Sequence, residues 1–250
     1  MYILIFILGL IIGSFLNVCI FRIPNKQSIA FPPSHCFHCN HSLGVLDLFP
    51  VLSFVFLRGK CRYCRSKISI QYPIIELVNG LLYLSLFIKF GLSVYFIFYA
   101  LFGSLLLVIA MIDIKTETIP NATIIFGLIL GIIYIIIMAF TSYSWIGIKD
   151  GILGFFTGSL IIFLIILISR GGMGAGDMKL MGVVGLFLGY KGVIVTLFFG
   201  IIAGGIAGVL LLLTKVKSRK ATIPFGPFLV LGTFITLYWG EFILNWYLSL

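Results

Sequence analysis

The sequence predicts an all-α, polytopic membrane protein with about eight transmembrane helices and one small loop domain outside the bilayer. Of its 250 residues, 61% are hydrophobic and 10% are charged, whereas about a quarter of the residues in a soluble domain are charged. Apolar runs close to the roughly 20 residues that a bilayer-spanning helix needs recur along nearly the whole chain. These runs do not alternate polar and apolar residues, which excludes a membrane β-barrel.

The expected spans divide the chain into a first transmembrane helix (1–21), a loop (22–72) and a helical membrane domain (73–250). The first helix has no basic segment before it and no small-residue cleavage site before Arg22. We therefore interpret it as a retained span and not as a cleaved signal. The eight spans are predicted at residues 1–21, 73–88, 92–112, 119–140, 151–169, 174–189, 192–213 and 222–248.

The predicted span 174–189 is short for a membrane crossing. The 12 residues from Met178 to Gly189 rise only about 18 Å as an α-helix, which is less than the thickness of the hydrocarbon core. We therefore expect this helix either to begin before Asp177 or to enter only part of the bilayer.

Basic residues set the expected orientation. The chain carries 17 Lys and Arg and has a net charge of +10, which in a soluble protein would suggest nucleic acid as a partner. In a membrane protein the excess has a simpler cause, because Lys and Arg accumulate in cytoplasmic loops. With the N-terminus outside, only Lys89, Lys149 and Lys191 fall in outside connections and the other 14 fall inside. Loop 22–72 is therefore predicted to be cytoplasmic, and the lipid bilayer replaces nucleic acid as the expected partner.

Loop 22–72 contains two CxxC pairs, CFHC and CRYC, separated by 21 residues. A segment of this size is too short for an ordinary hydrophobic core and needs a staple. Each pair allows two thiolates from one tight turn to bind the same ion, and two such turns complete the tetrahedral coordination of zinc. Two disulfides or redox-active thiols are the alternatives, which a reducing cytoplasm disfavours. The predicted zinc ligands are Cys36, Cys39, Cys61 and Cys64.

The metal is predicted to be structural, because four thiolates leave no open coordination position. His35, His38 and His41 flank the first pair and could replace one thiolate, although solvated loop positions are the simpler interpretation. Cys19 lies in the first span, where it is expected to pack as a small apolar residue.

Two aspartates occupy junctions at which an apolar run meets polar residues: Asp113 opens DIKTETIP, and Asp177 lies in GMGAGDMKL. Acidic residues at the edge of membrane spans are rare and often functional. The expected topology puts both on the cytoplasmic side, where two close carboxylates can share a proton and act as base and acid, as in aspartic proteases. Each Asp could instead be a helix cap or an interfacial residue, and a proton-coupled transporter uses the same ingredients.

Residues around the aspartates fit this use. Gly174 and Gly176 would allow the backbone to approach a substrate strand or a neighbouring helix closely. Asp177 is expected at the N-cap of the following helix, where the helix dipole favours its ionised form. Lys179 is expected to extend toward lipid headgroups or the substrate, and Glu117 to be a solvated turn residue and not a third carboxylate of the site.

These motifs resemble those of the type IV prepilin leader peptidases, aspartic membrane proteases of the GxGD class. GAGDMKL at 174–180 is similar to the family's GxGDxKL motif, and DIKTETIP at 113–120 is similar to its other aspartate motif. GLIIGSFLNVCIFRIP at 9–24 resembles its first span, the four cysteines with QYPIIELVNG at 71–80 resemble its cytoplasmic loop and next helix, and IPFGPFLVLG at 223–232 resembles its last span. The resemblance runs nearly end to end.

The resemblance implies an enzyme of the bacterial cytoplasmic membrane, similar to the short enzymes of Gram-positive competence systems. Such enzymes cut the basic leader from type IV prepilins and pseudopilins, which serve pili, competence and type II secretion. They cut on the cytoplasmic face, after a Gly and usually before a Phe. Asp113 and Asp177 would be the catalytic pair.

Relatives with the cysteine loop are associated with a second activity, methylation of the new N-terminus with S-adenosylmethionine. Glu76 and Gly80 are candidates for the methyl-donor site, and a cap or interfacial role is the alternative for Glu76. The segment LGVLDLFPVLSF at 43–54 departs from the family's usual pattern between the cysteine pairs, so the resemblance implies methylation less directly than cleavage.

Two other functions remain open from the sequence alone. A proton-coupled transporter would use the aspartates as a relay, but such proteins usually contain repeated halves with broken spans at corresponding positions, and no such repeat is found here. A membrane-anchored zinc module could instead act as a scaffold for pilus or secretion assembly. Cleavage of a prepilin-like peptide distinguishes both from a peptidase.

Overall fold

The computed structural model describes residues 1–142, 146–169, 172–214 and 223–249, and over these ranges it is helical with no β-strand beyond isolated bridges. Seven of the described helices are long and apolar enough to cross a membrane, which confirms the predicted class. The helices are α1 Tyr2–Arg22, α2 Leu52–Phe56, α3 Gln71–Phe90, α4 Val94–Thr116, α5 Asn121–Ser142, α6 Ile146–Ile168, α7 Ala175–Leu213 and α8 Gly226–Leu248.

Residues Met1–Val108 form one compact unit, in which α1 packs closely on α3. The backbone of α3 occupies the space where side chains at Gly9 and Gly13 would lie. Asn79 of α3 joins the helices by donating its Nδ2–H to the Gly9 carbonyl at 2.7 Å, and its Oδ1 accepts the hydroxyl of Ser104. Glycines that let two backbones approach are typical of membrane helix pairs. Gly9 and Gly13, which form a GxxxG motif, therefore serve helix packing.

Residues Ile109–Leu250 form the second compact unit, in which α6 lies against the first part of α7. The contact depends on small residues, because a Cβ at Gly154 would overlap the backbone of Gly185, and a Cβ at Gly158 would overlap that of Met181. As the numbers rise along α6 they fall along α7, so the two helices are antiparallel.

α7 is 39 residues long but is not one continuous rod. Gly189 has φ 67° and ψ 179°, a conformation that glycine adopts far more readily than other residues. In a straight helix, Asp177 and Gly204 would lie about 40 Å apart. Both instead lie near the start of α8. The start of α8 packs on Gly204 and also binds Asp113, and the charge of Asp113 acts on Asp177. The segments before and after Gly189 are therefore antiparallel.

The two predicted spans 174–189 and 192–213 are thus the two antiparallel segments of α7. The structure has seven long apolar helices in the described ranges where eight spans were predicted, because a single glycine makes this turn without a polar loop. The first segment begins at Ala175, before Asp177, which was one of the two possibilities expected for this short span.

Some residues used to predict the orientation have no described position. They are five of the basic residues assigned to the inside: Arg170, Lys215, Lys217, Arg219 and Lys220.

The loop predicted at 22–72 lies between α1, which ends at Arg22, and α3, which begins at Gln71. The division of the chain into domains at 21 and 72 stays a prediction.

Candidate active site and metal site

Asp113 lies in the last turn of α4 and is only 4% exposed. Its Oδ2 accepts the backbone N–H of Gly226, the first residue of α8, at 2.9 Å. A Cβ on Gly226 would lie 2.7 Å from the same oxygen, so this approach requires a glycine. The N–H groups in the first turn of a helix favour a negative charge, and the start of α8 therefore faces the carboxyl group of Asp113.

Asp177 is the third residue of α7 and is 7% exposed. The N-cap of this helix is Gly174, whose N–H donates to Oδ2 of Asp177 at 3.2 Å, while the N–H of Asp177 donates to the Gly174 carbonyl at 3.1 Å. The prediction that Asp177 is itself the N-cap is wrong by three residues. Its side chain reaches back to the N-cap, as the acidic residue of a capping box does.

The two carboxyl groups come together although 64 residues separate them in the chain. They lie near enough for the charge of Asp113 to act on Asp177. Gly176 packs against Ile119 of the turn after α4, where a Cβ on the glycine would lie 3.0 Å from the isoleucine Cβ. Two buried carboxyl groups therefore lie where the end of α4 and the turn after it meet the starts of α7 and α8. The two groups interact, as an acid and base pair requires.

Sequence reasoning missed two residues of this cluster, Gly226 and Ile119. The glycine stands before Pro227, and a proline near a helix start is a recognisable signal, but nothing in the sequence connects that helix start with Asp113. Ile119 precedes a proline and resembles any other apolar residue of a turn. Only the packing of separate helices shows their part in the site.

Two other candidates near the pair have partners of their own. Lys179 donates its Nζ–H to Oδ1 of Asn121 at 2.9 Å, so it links the start of α7 to the start of α5. This differs from the expectation that Lys179 extends toward lipid or substrate. Glu117 is exposed and has φ 52° in the turn after α4, as the sequence predicts for a turn residue. Its charge still acts on Asp113, so it belongs to the electrostatic surroundings of the pair.

The four cysteines of the loop form a cluster of a size that fits a metal ion. Their sulfur atoms all lie within 4.8 Å of one another, and the Sγ atoms of Cys36 and Cys64 are 3.7 Å apart. In a regular tetrahedral zinc site with Zn–S bonds of about 2.3 Å, sulfur atoms are separated by about 3.8 Å. The cluster could therefore hold a tetrahedrally coordinated ion after small adjustments.

The cluster is built from two copies of the same turn, 25 residues apart. In the first, the Cys36 N–H donates to the carbonyl of residue 41 and Asn40 has a positive φ; in the second, the Cys61 N–H donates to the carbonyl of residue 66 and Arg65 has a positive φ. Each turn is closed by an isolated bridge, 35 with 42 and 60 with 67. Each CxxC pair is thus presented by the same local backbone fold.

The electrostatics of the thiols also favour a cation. Backbone N–H groups of Cys39 and His38 lower the pKa of Cys36 to about 6. A hydrogen bond from the His41 backbone lowers the pKa of Cys39, but desolvation and the neighbouring thiols outweigh it and raise that pKa to about 11. A metal binds the thiolate form, and close thiols cannot all ionise easily without a cation between them. Hydrogen bonding from Ser66 lowers the pKa of Cys64.

The histidines that flank the first pair are engaged elsewhere. Nδ1 of His35 lies 3.1 Å from the carbonyl of Pro33, and the ring of His41 packs against that of Tyr63 at a tilt of 38° with centroids 3.6 Å apart. Neither they nor His38 belongs to the described cluster of metal-ligating atoms. The described group of side chains that could hold a metal ion is the four cysteines.

Glu76 and Gly80, the candidates for the methyl-donor site, both face α1 or the loop. Oε2 of Glu76 accepts the N–H of Val51 at 2.7 Å, so it is a buried residue of α3 that binds the loop and not a helix cap. The space beside Gly80 is filled by Leu10 and Phe6 of α1. Neither residue presents an open cradle for S-adenosylmethionine, and their role stays a prediction.

Comparison with known proteins decides the family. The profile of the bacterial Peptidase A24 N-terminal domain matches residues 7–90, and that of the type IV leader peptidase family matches residues 100–209. The chain belongs to the type IV leader peptidase family. It is a multi-pass membrane protein of that family, and the transporter and scaffold considered from the sequence are not favoured.

Several relatives match this leader peptidase chain along its whole length, and all three described here are named prepilin leader peptidase/N-methyltransferase. The protein of Bacillus subtilis (strain 168) is 36% identical over 99% of this chain and 98% of its own. That of Aeromonas hydrophila is 30% identical over 98% and 93%, and that of Legionella pneumophila is 30% identical over 100% and 95%. No solved structure matches this chain.

Proposed function

We propose that this chain is a membrane aspartic endopeptidase that removes the leader of type IV prepilins or pseudopilins, with Asp113 and Asp177 as its catalytic pair. The observation that carries the proposal is the meeting of two buried carboxyl groups from separate helices, each bound by the backbone N–H of a glycine. The family and the names of its relatives supply the substrate class.

The chemistry follows from the pair. When two carboxyl groups share a proton, the ionised one takes a proton from a water molecule, and the resulting hydroxide attacks the carbonyl carbon of the scissile peptide. The neutral carboxyl group gives its proton to the carbonyl oxygen as negative charge develops there. The carboxyl group that took the proton from water then gives it to the amide nitrogen, and the C–N bond breaks. As the carbonyl group re-forms, a hydroxyl of the tetrahedral intermediate gives its proton to the other carboxylate, which restores the shared proton. Gly176 allows the turn after α4 to approach the pair closely, because Ile119 occupies the space beside it.

The cysteine cluster is proposed to bind one structural zinc through Cys36, Cys39, Cys61 and Cys64. The separation of the thiols and the repeated turns support this assignment. Zinc bound by four thiolates has no free position for a substrate or a water. Its contribution is to hold the two turns together in a loop that is too small for a core of its own.

We also propose that the enzyme methylates the N-terminus that cleavage exposes, as the names of its relatives state for them. The methyl group would come from S-adenosylmethionine. The active site would face the cytoplasm of a bacterium, because six basic residues lie between the first two spans and a seventh ends the first of them, and basic loops stay inside. An impermeant thiol reagent should not label a cysteine placed at Lys26 in intact cells.

One assay tests both activities. Purified protein in lipid nanodiscs is mixed with a synthetic peptide that contains a basic leader, Gly-Phe and an apolar segment, with and without S-adenosylmethionine. Mass spectrometry should find the leader ending in Gly, and with the methyl donor the second fragment should be heavier by one methyl group. Failure of folded, zinc-loaded protein to cut several such peptides would overturn the peptidase proposal. Cleavage without methyl transfer would overturn only the second activity.

A further inference from the structure

The loop between α1 and α3 exposes a face of large apolar side chains. Leu52, Val55 and Phe56 of α2 are exposed by 49%, 62% and 81%, and their spacing of three and four residues puts them on one side of the helix. We call these three residues the α2 face. Val45 and Leu46, earlier in the same loop, are also exposed. A water-facing loop of this size rarely leaves so much apolar surface uncovered.

The start of α2 is tied to a membrane-spanning helix. The N–H of Val51, the residue before α2, donates to Oε2 of Glu76 at 2.7 Å. Glu76 is the sixth residue of α3, so it lies only about 8 Å along the helix axis from Gln71, the first residue of that span. A helix that begins beside the first turns of a membrane span lies at the boundary between water and lipid.

The backbone before α2 shows that this attachment is specific. Val51 has φ 59° and ψ −49°, and the N–H of Leu52 donates to the carbonyl of Pro50. This is a γ-turn with positive φ, a rare and strained conformation for a β-branched residue. The hydrogen bond to Glu76 holds the strained turn in place. It fixes the point at which the loop leaves α3 and the direction in which α2 starts.

The other arm of the loop is held at the end of α1. The buried side chain of Arg22 donates from Nη1 to the carbonyl of Ser28 at 2.9 Å and from Nη2 to that of Pro32 at 2.7 Å. Since α1 and α3 pack against each other, both arms of the loop return to one helix pair. The loop therefore stays at the membrane surface.

Charge decides which partner covers the α2 face. Residues 22–72 contain seven Lys and Arg and one acid, Asp47, a net charge of +6. Arg58 and Lys60 follow α2 directly and are exposed. A basic prepilin leader would be repelled by this loop, whereas an anionic lipid surface attracts it. An apolar helix face bordered by basic residues is the pattern of helices that lie in the bilayer interface.

We propose that α2 is an interfacial helix. Its face, Leu52, Val55 and Phe56, inserts at the level where headgroups meet acyl chains, and Arg58 and Lys60 contact anionic phospholipid headgroups. The attachment through Glu76 holds it at this depth. This surface does not depend on the peptidase activity and is tested without it.

Tryptophan fluorescence in lipid tests the inference with the full-length chain. The native Trp145, Trp239 and Trp246 are replaced by Phe, and Phe56→Trp is introduced. The protein is placed in nanodiscs of anionic phospholipid with or without brominated acyl chains, and its zinc content is checked to show that the loop is folded. We expect blue-shifted emission that the brominated lipid quenches. A second variant, His38→Trp on the exposed part of the first cysteine turn, should emit as in water and resist quenching.

The basic residues give a second readout. Adding Arg58→Gln and Lys60→Gln to the Phe56→Trp protein should shift the equilibrium of α2 away from anionic lipid by about fivefold for each charge and change little in zwitterionic lipid. Unquenched emission at the wavelength of exposed tryptophan would overturn the proposal. Blue-shifted but unquenched emission would also overturn it, because it would show that protein, such as a second copy or a prepilin, covers the face. Equal quenching at positions 38 and 56 would remove the assignment to α2.

Discussion

The cysteine cluster and the aspartate pair are assembled in opposite ways. The cluster uses two copies of one turn, and the backbone hydrogen bonds that shape each turn join residues no more than nine apart. The aspartate pair uses the end of α4 and the starts of α7 and α8, and the hydrogen bond between Asp113 and Gly226 joins residues 113 apart. Cys39 and Cys64 are exposed, whereas both aspartates are buried.

The two sites therefore differ in how their removal should affect the fold. The loop has too few residues to fold without its staple, so loss of the metal should change its structure. The aspartates stand on long helices that pack through many apolar side chains, so loss of a carboxyl group should change the chemistry and leave the fold intact. Variants of each site test that difference.

Replacing either aspartate should abolish cleavage. Asp113→Asn and Asp177→Asn keep the shape of the side chain but cannot exchange the shared proton. Each should lower kcat/KM for a prepilin peptide by at least about 10³-fold, and the double variant should be little worse, because residues that act as a unit are not additive. Peptide cleavage followed by mass spectrometry measures the effect.

Two controls give this result its meaning. Glu117→Gln removes a neighbouring carboxylate that is exposed in the turn after α4, and most of the activity should remain. The zinc content of both Asn variants should equal that of the wild type, since the cysteines belong to the other compact unit. Substantial cleavage by a folded Asp177→Asn protein would overturn the assignment of Asp177 to the catalytic pair.

Removing a cysteine should have the next largest effect, on the metal and on the loop. Cys61→Ser takes away a buried sulfur ligand, and Ser66→Ala removes only a hydroxyl that lies 3.2 Å from Cys64 Sγ. The alanine variant should weaken zinc binding by about 10–100-fold, as the loss of an outer hydrogen-bond partner does, and the serine variant by more. Competition with a chromophoric chelator measures the affinity.

Limited proteolysis supplies the structural readout for these two variants. Loop 22–72 should become sensitive in Cys61→Ser, because structural zinc contributes directly to folding, and should stay resistant in Ser66→Ala. Metal-free wild-type protein with a disulfide between Cys36 and Cys39 would contradict the zinc assignment.

The same contrast explains how much of the molecule could be predicted. The helical class, the approximate span positions and the clustering of the four cysteines depend on composition and local spacing, which a sequence displays directly. The boundary between spans 174–189 and 192–213 could be predicted, but not that Gly189 alone makes the turn within one 39-residue helical element, because a glycine inside an apolar run is also common in continuous membrane helices. The contact of Gly226 with Asp113 could not be predicted either, since it arises only when α4 and α8 pack.

A methyl group added at Gly226 should disturb the pair without removing any polar atom. In Gly226→Ala the new Cβ would lie 2.7 Å from Oδ2 of Asp113, so the carboxyl group must move. Displacement of a reacting group by about 1 Å can cost 10²-fold in rate, so we expect kcat to fall by about 10–100-fold. The matched control is Gly205→Ala in α7, where nothing lies within 4 Å of the added methyl group. Equal activity of the two variants would show that Asp113 tolerates displacement.

The smallest predicted effect concerns Asp47, which joins the segment between the cysteine pairs to the second turn. Its carboxylate accepts hydrogen bonds from Arg62 at 2.6 Å, from Tyr63 at 3.1 Å and from the N–H of Gly44 at 3.1 Å. Desolvation acts to raise the pKa of Asp47, but these hydrogen bonds outweigh it and the net shift is downward. Because the Arg62 side chain is 45% exposed, solvent screens the pair, and Asp47→Asn should destabilise the zinc-bound loop by only about 0.5–1 kcal/mol.

The pH dependence of that difference identifies its source. A group with a lowered folded pKa stabilises the folded state fully above its unfolded pKa, near 3.9 for Asp, and loses this contribution as the pH falls through the folded value. Between pH 5 and 8, Asp47 is therefore ionised in both states, and the difference in loop stability between wild type and Asp47→Asn should stay constant. Rates of zinc transfer to a chelator, measured for both proteins across this range, provide the comparison. A difference that changes between pH 6 and 7 would show that a group other than Asp47 is its source, because a carboxylate with a lowered pKa does not titrate there.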